Sequence, residues 1–107
     1  MSDVLLVITN LPDAPAAEKL ARCIIESHAA ACVNQLAPCT STYRWEGRIE
    51  TASEVPLLIK TTQSAYPRLE ALLRAAHPYE LPEIIAVPVS VGLPAYLDWV
   101  NRETNKE

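Results

Sequence analysis

The sequence predicts an α+β fold of the ferredoxin-like kind: a βαββαβ sandwich with an extended hairpin and a C-terminal helix. Three observations carry that expectation. Aliphatic and β-branched runs of strand length alternate with stretches whose apolar residues recur every three or four positions. A Glu46-Gly47 turn signal joins two segments rich in β-formers. With 107 residues, half of them hydrophobic, the chain reads as one domain over 1–107 with enough apolar side chains for a core.

The elements follow in order. Val4-Leu5-Leu6-Val7-Ile8 is a strand, closed by Asn10-Leu11-Pro12-Asp13. It is apolar on both parities, so both of its faces should be covered. Asp13 can cap a helix over 14–27, and Pro15 is tolerated in a first turn. Ala17, Leu20, Ala21, Ile24, Ile25 and His28 form its apolar stripe. Residues 30–36 make a short strand, and Pro38 should bulge or kink the chain after it. Residues 40–45 continue as the outgoing arm of the hairpin. The return arm begins at Arg48, and 54–62 is a further long strand. Ser64 is a good N-cap for a second helix over 65–76, with Pro67 in its first turn and Leu69, Leu72, Leu73 and Ala76 on its stripe. His77-Pro78 stops that helix. Residues 83–91 give the last strand, and Gly92-Leu93-Pro94 opens a short helix carrying Tyr96, Leu97 and Val100, with frayed residues after Arg102.

Both main helices of such a pattern lie on one face of the sheet. The strands are nevertheless apolar on the other face too, and the third helix can cover only part of it. Other copies of the chain are the expected cover, and partner strands would also satisfy the free edges of the hairpin.

Charge and cysteine content narrow the function. The net charge is −4, from 13 acidic and 9 basic residues, with no basic cluster, so nucleic acid and anionic membrane are not expected partners. No apolar run approaches the ~18 residues that span a bilayer. No basic residue precedes the first apolar stretch, so no secretory leader is expected there. Three cysteines, an odd count without a CxxC pair, fit a reduced, cytoplasmic protein.

Few residues carry chemistry. His77 sits in a loop stiffened by Pro78 and Pro82, and a neutral imidazole suits copper or zinc. A histidine there also serves as a helix stop. Cys39, beside Pro38, is the accessible thiol, a soft donor for Cu(I). Cys23 and Cys32 read as small buried hydrophobes, and His28 as a half-buried, satisfied histidine. Two glycines leave no phosphate-cradling loop, and no HExxH or GxSxG motif occurs, so an enzyme is not expected. Tyr43 and Trp45 share one face of their strand. If the hairpin reaches a neighbouring subunit, Tyr43, Trp45, Glu54, Lys60 and Tyr79 meet in an inter-subunit cleft. They would hold a small polar ligand there or cement the interface.

Several stretches together resemble the CutA family of divalent-cation tolerance proteins. They are Ala29-Ala30-Ala31-Cys32-Val33-Asn34, Thr42-Tyr43-Arg44-Trp45-Glu46-Gly47-Arg48-Ile49-Glu50, Glu54-Val55 with Leu58-Ile59-Lys60-Thr61, His77-Pro78-Tyr79-Glu80-Leu81-Pro82-Glu83-Ile84-Ile85, and Tyr96-Leu97-Asp98-Trp99. The resemblance implies a homotrimer in the cytoplasm, a role in tolerance of copper and other divalent metals, and no settled enzymatic activity. It also implies likeness to the trimeric PII signalling proteins, and with it the alternative of a signalling module that binds a small polar ligand between subunits. Of the ligand positions that some members use, only His77 is present. Ile8 stands where those members have cysteine before Thr9, and Ala76 stands where they have a first histidine. Cys39 is the substitute donor on this chain, so the expected metal residues are His77 and Cys39.

Overall fold

The computed structural model describes residues 2–105. Its elements are β1 (Val4–Leu11), α1 (Ala14–Glu26), β2 (Cys32–Gln35), β3 (Cys39–Trp45), β4 (Arg48–Thr62), α2 (Tyr66–Ala76), β5 (Ile85–Pro88) and α3 (Pro94–Thr104). Four strands lie in the order β2-β4-β1-β5, and β3 runs along β4 beyond β2. All pairings are antiparallel. Because β2 and β3 are one strand interrupted at Pro38, this is the expected ferredoxin-like arrangement.

The two parities of the strands have different fates. On one face Leu5, Val7 and Leu11 of β1 and Val55, Leu57 and Ile59 of β4 pack against Ala17, Leu20 and Ile24 of α1 and Leu69 and Leu73 of α2. On the other face Leu6, Ile8 and Leu58 are only half-buried, and Ile85 and Val87 are 50% and 48% exposed. The register sets Leu6 beside Val87, and Ile8 between Leu58 and Ile85, so these side chains form one apolar surface across three strands. Helix α3 covers only the Val4 and Thr62 end, where Val100 is fully buried.

Several expectations needed correction. Residues 48–62 form one strand of 15 residues rather than two pieces, because the pairing with β3 passes into that with β1 and β2 without a break. That length gives principal extents of 44 × 26 × 23 Å and a radius of gyration of 14.4 Å, against roughly 13 Å for a round domain of this size. Ser64 does not cap α2. The Thr62 hydroxyl accepts from the Ala65 amide instead, and Ala65 is the N-cap. Asp13 does cap α1, accepting from Ala16 N. Helix α1 ends in a Schellman motif, with Ala29 N donating to Ile24 O and His28 N to Ile25 O. His28 is therefore left-handed, at φ 60°, and leaves the apolar stripe. Its ring is exposed, with Nδ1 at 3.0 Å from the Glu103 carbonyl. Cys23 is exposed rather than buried, since it lies one position outside the stripe. The last strand shrinks to Ile85–Pro88, where it has a neighbour on one side only. Helix α3 outruns Arg102 because Thr104 is buried, its hydroxyl 3.4 Å from that of Thr62.

Candidate functional site at the base of the hairpin

The site begins with a bulge. Gln35 pairs with Leu57 and Cys39 pairs with Glu54, so four steps on one strand face three on the other. The extra residue falls in Leu36-Ala37-Pro38, where Pro38 cannot donate to a ladder. It reverses the parity of everything that follows. Cys39, Tyr43 and Trp45 thereby share a face with Glu54, Leu58 and Lys60, the face turned away from α1 and α2. Without the bulge Thr40, Thr42 and Arg44 would occupy it.

His77, the C-cap residue of α2, is 9% exposed. Both ring nitrogens are engaged. Nε2–H donates to the Asn10 carbonyl at 2.8 Å, and Nδ1 accepts from the Tyr79 amide at 3.2 Å. One partner can only accept and the other only donate, so the imidazole is neutral with its proton on Nε2. Burial lowers its pKa, while the bond to Asn10 O and the charge of Glu54 oppose that shift in part.

The Tyr79 ring lies 4.9 Å from the imidazole, centroid to centroid. Its phenol faces Glu54. Burial, then the hydrogen bond and charge of Glu54, with smaller contributions from Tyr43 and Asp13, push its pKa up to about 12. His77, Tyr79, Glu54 and Tyr43 thus converge within a single chain. Cys39, directly opposite Glu54, brings an exposed thiol to the same end of β4.

The remaining cleft residues stand apart. Lys60 is six residues along β4 from Glu54, about 20 Å away at strand rise. Its ammonium is engaged by the Asn34 side chain. Trp45 lies two residues beyond Tyr43 at the hairpin end, opposite Arg48, and is 39% exposed. Sequence reasoning passed over Asn10 and treated Glu83 as merely solvated, yet the Asn10 amide donates to Glu83 at 2.9 Å. The Ile8–Ile85 pairing, extended by two residues, sets these two opposite each other, so the strand register was the signal that would have found them. Among the described residues, no three His, Cys, Asp or Glu side chains converge as a metal site would require.

Comparison with known proteins places this arrangement in a family. The profile described as CutA1 divalent ion tolerance protein matches residues 5–103. Protein CutA of Mus musculus is 46% identical over 93 residues, which cover 87% of this chain and 52% of that protein. The chain therefore spans about half the length of this mammalian relative. Divalent-cation tolerance protein CutA of Thermus thermophilus is 40% identical, with 92% and 96% of the two chains covered. The crystal structure of CutA from Xylella fastidiosa superposes with a TM-score of 0.94 at 51% identity, covering 97% of this chain and all of that one. The chain belongs to the CutA1 divalent ion tolerance family.

Proposed function

We propose that the protein serves divalent-cation tolerance as a non-catalytic homotrimer that takes up copper through Cys39 and His77. The observation that carries the assembly is the apolar surface of Leu6, Ile8, Leu58, Ile85 and Val87, which α3 leaves uncovered. Neighbouring copies are its cover, and the hairpin beyond the compact body gives them something to grip. The non-catalytic reading rests on the sequence, which carries no phosphate-cradling glycine loop and no HExxH or GxSxG motif. Copper uptake rests on the exposed Cys39 thiol, paired across the hairpin with Glu54, and on His77, which feels the Glu54 charge. The thiol is the first donor, and His77 joins by giving up the bond to Tyr79 N. A cytoplasmic setting is supported by three free cysteines. A relative from Archaeoglobus fulgidus, 32% identical, is named as periplasmic, so compartment is a property to be measured.

Titration of the purified protein with Cu(I) against a competing chelator tests the metal reading. Cys39→Ser should remove most of the affinity and His77→Ala should lower it. If both variants bind copper as the parent does, direct uptake at this site is wrong.

A second reading, a PII-like trimer holding a small polar ligand between subunits, is favoured by the convergence of Tyr43, Glu54 and Tyr79. Within one chain Lys60 stands about 20 Å from Glu54, and in this form of the reading it lies outside the ligand's contacts. Under this reading Tyr79→Phe abolishes a metabolite-induced rise in melting temperature, whereas Lys60→Ala preserves it.

A further inference from the structure

A cavity of about 440 Å³ opens at the other end of the sheet from His77. It is lined by Ser64 and Arg68 at the start of α2 and by Asn101, Arg102, Thr104 and Asn105 at the end of α3. The lining carries two guanidinium groups and no carboxylate, in a chain where acids outnumber bases 13 to 9. The Asp3 carboxylate lies 3.4 Å from the Asn101 amide nitrogen, at the rim.

Arg68 is held in place. Its Nη2 donates to the Thr104 carbonyl at 2.9 Å and reaches the His28 carbonyl at 3.5 Å. These bonds neutralise the end of α3 and use one of the three guanidinium nitrogens. The other two have no protein partner among the described residues. Arg102 is exposed on the last turn of α3. Ser64 and the Asn105 amide add neutral donors to the rim, while the Asn101 amide is spent on Leu97 O and Asp3.

We propose that this cavity binds the phosphate group of a small molecule, between Arg68 and Arg102. A tetrahedral dianion takes donors from several directions at once, which suits a lining of two guanidiniums, a hydroxyl and an amide drawn from two elements. A planar carboxylate would use only one guanidinium fork. The cavity volume lies in the range of small-ligand pockets. The site is independent of the Cys39 and His77 reading and lies at the opposite end of β4.

The 107-residue protein titrated with sodium phosphate, followed by NMR at the amides of Ser64, Asn101 and Asn105, tests it. Sodium chloride at matched ionic strength and malonate are the parallel arms. Phosphate should give saturable shifts at these three positions, and malonate smaller ones. Arg102→Gln should keep the parent fold and melting temperature and weaken phosphate binding by roughly tenfold, as loss of a charge-assisted hydrogen bond does. Arg68→Gln should weaken it too, with some loss of stability from the Thr104 bond. Equal shifts with chloride, a stronger response to malonate, or an Arg102→Gln protein that titrates as the parent does would each overturn the proposal.

Discussion

His77 is held by geometry rather than by charge. Its neutral form is built into the fold, so protonation costs stability. The folded pKa lies below the ordinary 6.5 of histidine. The native state therefore binds fewer protons than the unfolded chain, and stability rises with pH across this interval. The contribution is complete above pH 6.5 and is lost as pH falls from there through the folded value. His77→Gln should flatten the part of the melting-temperature profile that lies below pH 6.5, seen as a difference from the parent. A difference that stays constant with pH would contradict the assigned tautomer. Thr9 offers a second test. Its side chain is fully buried among the core residues, and its hydroxyl has no partner among the described residues. Thr9→Val keeps the shape and removes the unsatisfied group. Urea unfolding should show a gain of about 1 kcal/mol.

At the level of elements, the hairpin is the informative one. Its turn holds Glu46 at φ 50° and Gly47 at φ 80°, two left-handed residues that match the twist of the arms. Glutamate is strained there and asparagine is not, so Glu46→Asn should stabilise the chain by up to about 1 kcal/mol in the same unfolding assay. The turn was legible in the sequence, as were α1, its Asp13 cap and the stop at His77-Pro78, because each depends on local chemistry. What was not legible depends on pairing. The continuity of β4 is set by its pairing with β3 passing straight into its pairing with β1 and β2, and β5 extends only as far as its pairing with β1. His28 was misplaced because a Schellman end turns the chain one residue before the stripe would run out, and Cys23 because it lies one position outside that stripe. The site was legible in part. Tyr43, Glu54 and Tyr79, expected to meet between subunits, come together within one chain, and His77, expected as a metal residue, joins them. Lys60 was grouped with them across a subunit boundary, and within one chain it stands about 20 Å from Glu54. The engagement of both His77 nitrogens depends on Asn10 O and Tyr79 N, which no motif announces.

For the whole molecule, the two faces of the sheet make the argument. One is sealed by α1 and α2. The other presents Ile85 and Val87 half-exposed beside Leu6, Ile8 and Leu58. A charged side chain on it should be tolerated by a lone chain and rejected by an assembly, so Val87→Asp should give smaller species than the parent on size exclusion. The reading of the protein as an assembled CutA1-family member rests on that surface being an interface. Light scattering of the untagged protein at micromolar concentration measures this most directly. The expected mass is three times the 11.8 kDa of one chain, unchanged on dilution. A particle of 11.8 kDa would contradict it, because the apolar face would then stand open in water.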